Sequence, residues 1–271
     1  MRKIAFLYIH FAKTAIRAAT AHRSAFWAGV AGQWLGYGAT FATLYIMVTA
    51  FDALAGWSAD EMIFMYAVNL LSYAIAATFF YNPSTTLATK IRTGEFDGAL
   101  TKPTSPFLHE FYTGFNFGYV SHVSLSFVVM IMASVNAKLS FSPLAALTFL
   151  AMLLGAILVQ AAFMIAISSA SFFLIQENPL FELSYAIQKF TQYPIAIYPL
   201  FLQIVLTFVL PVAFMNFYPA SAILGKDGGA SAPGAFSPAL GYCTPLVGII
   251  LFALSVLLWN WALSKYQSVG S

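Results

Sequence analysis

An all-α membrane protein with six transmembrane helices is the fold class predicted by this sequence, and three observations predict it. First, 61% of the 271 residues are hydrophobic and only 8% are charged, against roughly a quarter charged in soluble domains, and mean hydropathy is +0.81. Second, charge-free runs cover 24–51, 62–89, 111–137, 139–176, 190–225 and 228–264, each longer than the roughly 20 residues a helix needs to cross about 30 Å of hydrocarbon. Third, the lysines and arginines sort onto two faces once six spans are placed. The helices are expected near 26–48, 62–81, 112–135, 145–174, 199–217 and 243–263, within a single transmembrane domain, 1–271.

Residues 1–23 come first. At 100° per residue Lys3, His10, Lys13 and Arg17 share one stripe, while Ile4, Leu7, Tyr8 and Phe11 lie elsewhere; Phe6 alone intrudes on the polar side. This predicts an amphipathic helix in the membrane interface, and both a lipid-surface anchor and a contact with a protein partner fit it. A signal peptide fits poorly, because the apolar run from Ile4 is interrupted by His10 and ends at Lys13.

An even number of spans puts both termini on one side. Ten of the twelve lysines and arginines (Arg2, Lys3, Lys13, Arg17, Arg23, Lys90, Arg92, Lys102, Lys189 and Lys265) then share that side, against Lys138 and Lys226 opposite. The positive-inside rule makes the side with ten cytoplasmic. Segments 82–110 and 176–198 are therefore expected in the cytosol and 218–242 outside, as a cap or partly re-entrant element, with Pro211 kinking the fifth helix. Within 176–198, Glu177, Glu182 and Lys189 are the charges, Asn178-Pro179 a helix start and Pro194 an end; a protein contact and a partnerless interfacial helix fit equally.

Several functions are excluded or weakened. The stretch "LGKDGGAS" has the letters of a phosphate-binding loop without its spacing. No predicted span contains Asp, Glu, Lys or Arg, which weakens a proton-coupled or secondary transporter. The single cysteine, Cys243, is read as a packed small residue, and His122, beside Ser121, Ser124 and Ser126, as an interhelical hydrogen-bonding group. No metal site and no clustered nucleophile and base are present.

The segment "RTGEFDGALTKPTSP", 92–106, stands out against this background. From Asn82 through Asp97 helix 2 can extend past the membrane, Gly94 loosens it before the short "EFDGAL" piece, Gly98 interrupts again, and Pro103 and Pro106 stop any helix. Phe96, Leu100 and the neighbouring charges would make an amphipathic knob whose exposed apolar side wants a protein partner.

Gly94, Glu95, Asp97, Leu100 and Pro103 match the "G-E-x-D-x-x-L-x-x-P" element of ABC type-2 permeases, the membrane subunits of ATP-binding-cassette exporters, which the chain resembles. "YPIAIYPLFLQIVLTFVLPVAFMNFYPA", 193–220, resembles the fifth-helix region of one subfamily, and "KYQSVGS", 265–271, its closing "Y-x-S-x-G". Phe96 stands where leucine is common and Lys102 where arginine is common.

The resemblance implies a subunit of the cell's inner or plasma membrane working over two cytosolic ATPases, beside a second related permease or a second copy of itself. ATP and Mg would sit on the ATPases, leaving this chain no cofactor and no catalytic residue; membrane lipid is its surrounding, and nucleic acid is not an expected partner. Residues Arg92 to Pro103 would be the coupling helix: Phe96 and Leu100 anchoring in the ATPase, Glu95 and Asp97 pairing with its cations, Gly94 and Pro103 shaping the knob, flanked by Arg92 and Lys102. Helices 1, 2 and 5 would face the midline. Their polar sets are Gln33, Tyr37 and Thr40; Tyr66, Asn69 and Tyr73; and Gln203 and Thr207, groups that either lock helices together or line a wet translocation path. Gly32 with Gly36, and Gly114 with Gly118, provide for close helix approach. An aromatic path without fixed charge suits lipophilic drug or toxin efflux, including an organic cation held by aromatic faces; a lipid or glycan carrier and a peptide rank behind. A channel or secondary transporter without an ATPase is the alternative.

Overall fold

The computed structural model describes residues 2–51, 53–139, 142–174, 179–226 and 236–267. Among them the chain is all helical. The α-helices are α1 (Arg2–Thr20), α2 (Arg23–Thr49), α3 (Ala59–Arg92), α4 (Glu95–Leu100), α5 (Pro106–Thr113), α6 (Val120–Asn136), α7 (Pro143–Ala170), α8 (Pro179–Gln188), α9 (Leu200–Ile204), α10 (Phe217–Ile223) and α11 (Thr244–Ser264).

Four stretches are long and apolar enough to cross a membrane: Ala59–Arg92, Phe117–Asn136, Pro143–Ala170 and Pro238–Ser264. The chain is thus a multi-pass membrane protein, with two of the six expected spans falling outside that set. The first, α2, has the length at 27 residues, but glycines, Gln33 and threonines dilute its hydropathy. The second, expected at 199–217, is not one helix. Tyr193 and Tyr198 take extended backbone ahead of Pro194 and Pro199, as a residue before proline must. The chain then runs through α9, a π-helical turn at Val205–Val209 and a break at Leu210-Pro211 before a 3-10 turn at Val212–Met215. Prolines that lack the N–H and fix φ cut the segment into pieces.

The central element is α3, whose apolar stretch is largely buried, whereas α6 and α11 leave most of theirs uncovered. It starts at a capping box: the Glu61 N–H donates to Ser58 Oγ at 3.4 Å and the Ser58 N–H to Glu61 Oε2 at 2.7 Å. Two backbone donors are thereby satisfied at the helix start. Lys226 adds an ion pair to Glu61 at 2.7 Å, and Asn136 donates to Asp60 at 3.1 Å. The helix continues through Pro83 to Arg92, and near that proline Asn116 N–H donates to the Thr78 carbonyl at 2.9 Å.

Both ends of the chain meet the far end of α3. Tyr8 of α1 stacks on Phe79 and meets Phe115 edge-on, and Phe11 contacts Tyr112, while His10, Lys13 and Arg17 remain exposed. Tyr266, after α11, packs on Phe96. Lys226 and Asn136 thus lie at the start of α3, and Lys90, α1 and Tyr266 near its finish.

The closest helix approach is not where the glycine pairs were expected. A methyl on Gly32 or Gly36 would meet nothing within 4 Å, whereas one on Gly155 would lie 2.5 Å from the Thr244 carbonyl oxygen, and Gly248 abuts Gly155 in turn. Gly155 and Gly248 let α7 and α11 touch backbone to backbone, as small residues do in membranes. Of the other expected pair, Gly114 backs onto Pro83, while Gly118 abuts only the nearby Asn116 side chain. Cys243 is exposed rather than packed, and His122 bonds its neighbour Ser121 and meets Tyr37 edge-on instead of reaching a polar group on another helix. The expected glycine-rich outer loop at 225–234 lies mostly outside the described residues; α10 and Pro238–Cys243 flank it, with Gly241 against the Tyr218 backbone.

Gly155→Ala is expected to lower the thermal unfolding temperature of the detergent-solubilised protein by an amount corresponding to about 1–3 kcal/mol, the usual overpacking cost. Gly32→Ala should leave that temperature unchanged or slightly raised.

Candidate functional site

Two constellations stand apart from ordinary packing. The first is the finger below α3. Thr93 closes that helix, and Gly94 at φ +74° turns the chain in the left-handed region that costs glycine nothing. The six-residue α4 follows and α5 returns along α3. Lys90 pairs with Glu110 at 2.8 Å, and Glu110 is only 3% exposed, so the two helices are pinned by a largely buried charge pair whose rupture would strand a carboxylate. Desolvation holds the His109 imidazole below its usual pKa, favouring a neutral ring beside the Tyr112 hydroxyl at 2.9 Å.

The finger has two faces. Phe96 is 0% exposed, correcting the expectation of an outward apolar anchor. Its ring meets Phe172 and Tyr266 edge-on, each at a centroid distance of 5.3 Å. With Ala99 it enters a cluster of Leu87, Ile91, Phe111, Ile165 and Trp259. Asp97, expected to pair outward, accepts from the Tyr266 hydroxyl at 2.9 Å. An apolar ring beside four apolar helix ends loses more by facing water than an isolated knob could; burying it is worth about 1.5–3 kcal/mol, with about 0.5–1.5 more per aromatic pair. The other face is open: Arg92, Gly94, Glu95, Lys102 and Pro103 are exposed, and Leu100 is 44% exposed. Tyr266 belongs to the closing motif, and its Ser268 and Gly270 lie outside the described residues.

The second constellation is a cavity of about 220 Å³ lined by Tyr37 and Thr40 of α2, Tyr66, Asn69, Leu70 and Tyr73 of α3, and Tyr185, Gln188, Lys189 and Gln192. Five of the eight expected path residues thus come together. Gln33 is exposed and outside it. Gln203 instead donates to the Tyr198 carbonyl at 2.8 Å, and Thr207 shares a hydrogen bond with Tyr218 at 3.0 Å; both serve packing of the broken segment. Asn69 accepts from Gln160 of α7 at 3.2 Å, and Tyr66 and Gln192 both line the cavity. Two turns beyond Tyr73 on α3, the Tyr81 hydroxyl meets that of Tyr185, a lining residue, at 3.0 Å, with Tyr119 against Tyr81.

The 176–198 segment therefore needs correction. Glu177 and Asn178 lie outside the described residues, but 185–192 runs beside the middle of α3's charge-free stretch rather than below it. Lys189 is expected among the cytosolic charges because it lies between the fourth and fifth expected spans. Its helical register gave a signal: Tyr185, Gln188, Lys189 and Gln192 recur at i, i+3, i+4 and i+7, one face of a helix. Removing Lys189 from the count leaves nine against two, so the charge asymmetry stands.

Tyr266→Phe should speed hydrogen exchange in residues 94–103 without altering the melting temperature by more than about 0.5–1.5 kcal/mol equivalent, the worth of one hydrogen bond. Phe96→Ala should cost about 3–5 kcal/mol and expose the same segment to protease.

Neither the comparison with curated proteins nor that with solved structures returns a match. The family model described as ABC-2 family transporter protein matches residues 35–270, a span holding both the finger and the cavity. This chain belongs to the ABC-2 transporter family.

Proposed function

We propose that the protein is the permease subunit of an ABC exporter, with six spans and both termini cytosolic, and that α4 is its coupling helix. Family membership makes association with an ABC ATPase the expected partnership, and supplies no ATP site to this chain. The single observation that carries the proposal is the division of the finger into two faces. Glu95, Leu100, Lys102 and Pro103 face outward for a partner, while Phe96, Ala99 and Asp97 clamp onto α3, α5, α7 and the chain's last turn. A docking knob is useful only if displacement of it moves the membrane helices. Switching a gate from about 1:99 to 99:1 takes roughly 5.5 kcal/mol of differential binding, and a loose loop would dissipate it.

In this scheme two ATPases, carrying ATP and Mg, push the fingers of two permeases, this chain and a related chain or second copy. The exposed face of α2, with Trp27, Leu35 and Ile46 uncovered, is the surface available to that second permease. The cavity between α2, α3 and α8 is the inner part of the efflux path, closed towards the finger by the Tyr81–Tyr185 bond. Lys189 at mid-span also restores part of the case for an ion-coupled carrier, and dependence on an ATPase separates the two.

Charge and size reversal on the outward face, Glu95→Lys with Leu100→Asp, should abolish permease-dependent stimulation of the partner ATPase by tenfold or so, the scale of lost interface anchors. Insertion and melting temperature should be retained, because both side chains are exposed. Unchanged stimulation would remove the docking role from α4.

A further inference from the structure

The geometry points to the cavity between α2, α3 and α8 as a recognition site for the anionic head of an amphiphile, with Lys189 as the charge-selecting residue. The inference rests on the reading of this cavity as part of the efflux path and names the class of its cargo.

Its lining is uneven in charge. Four tyrosines, a threonine, an asparagine, two glutamines and Leu70 share the lining with one lysine, Lys189, and no carboxylate is among them. The ion pairs among the described residues are Lys90–Glu110 and Lys226–Glu61; Lys189 has neither an ion pair nor a hydrogen bond there. Glu182, on α8, precedes Lys189 by seven residues and is not among the lining residues. A cation beside the apolar middle of a span is costly unless a water-filled space or a counter-charge compensates it. An incoming carboxylate, phosphate or sulfate would supply that counter-charge, and tyrosine hydroxyls and glutamine amides would supply donors to its remaining oxygens.

Size and opening fix the rest of the molecule. A volume of about 220 Å³ holds the equivalent of about seven waters, enough for a head group and not for a lipophilic body. Tyr185 and Lys189 are exposed, so the cavity opens sideways along α8, and the apolar remainder of the ligand can leave through that opening into lipid or the seam with a second permease. The organic cation expected from the aromatic content is disfavoured by the same lysine, because the ring faces that would hold it share the cavity with a like charge.

The test is binding of two dansyl-labelled probes with matched alkyl chains, one ending in carboxylate and one in trimethylammonium. Each is titrated into the full-length protein in zwitterionic nanodiscs, with empty discs subtracted. The carboxylate probe should bind the wild type more tightly. Lys189→Gln should weaken it about tenfold, as loss of a charge-assisted contact does, Lys189→Arg should restore it, and Lys189→Glu should reverse the preference. Equal binding of the two probes, or an unchanged ratio in Lys189→Glu at wild-type melting temperature, overturns the anion assignment. Thr40→Trp, which fills the cavity, separates the two levels. If it blocks probe binding while Lys189→Glu changes nothing, the path stands and the charge selection falls; if it changes neither probe, the cavity binds no ligand and both fall. With the anion preference observed, competition by added phosphatidylglycerol identifies a membrane lipid head as the source. Lack of competition identifies a non-lipid amphiphile of the same chemistry.

Discussion

The burial of one phenylalanine ring, Phe96, is the contact on which the working parts depend. It sits where the ends of α3, α7 and α11 converge, between Phe172 and Tyr266, over Trp259 and Ile165. Aromatic edge-to-face contacts are individually small, about 0.5–1.5 kcal/mol, but here they act on a helix of six residues that could not hold its shape alone. The Tyr266 hydroxyl on Asp97 adds direction to what would otherwise be a non-directional apolar contact. The finger is therefore packed as one body with the ends of α3, α7 and α11. Without that clamp, the outward face of the finger would be a handle attached to nothing.

The second constraint is the scarcity of water inside the span, which gives every polar group there a structural consequence. Asn69 is held by Gln160 from α7, and Tyr81 is held by Tyr185 from α8. Ser72 of α3 donates to the Met215 carbonyl at 3.4 Å, holding the proline-broken segment against α3 even though its backbone is irregular, and irregular backbone at that depth is tolerated only when buried in protein or lining a cavity. Both conditions occur here. The side chains of Thr191, Gln203 and Asn216 are buried, and Gln188, Lys189 and Gln192 line the cavity. Tyr81 of the tyrosine pair lies on the helix whose far end carries the finger, about three turns before Arg92.

Much of this was legible in the chain. Charge-free runs located α2, α3, α6, α7 and α11 to within a few residues at most of their ends, because in a bilayer a single charge is expensive enough to mark a boundary. Gly94, Pro103 and Pro106 announced the finger, since backbone conformation at glycine and proline is local. Tyr37, Thr40, Tyr66, Asn69 and Tyr73 were found by helical spacing, because α2 and α3 are regular. Where regularity failed, so did the prediction: three prolines between 194 and 211 make periodicity meaningless, and the fifth helix dissolved into short turns. Gly155 and Gly248 passed unnoticed because nothing in a single helix shows which neighbour its small residues will meet.

What the sequence by itself determined was the solvent, the helices and the sidedness of charge, all of which follow from the cost of placing polar groups in hydrocarbon and from local backbone chemistry. Tertiary structure decided which face of each element is used. Phe96 turned inward because a cluster that draws on α7 and α11 as well as α3 and α5 was there to receive it, and Lys189 lies beside a cavity to which α2 and α3 also contribute side chains. Both outcomes depend on contacts between segments distant in the chain, and no local pattern encodes the partner that a side chain will find.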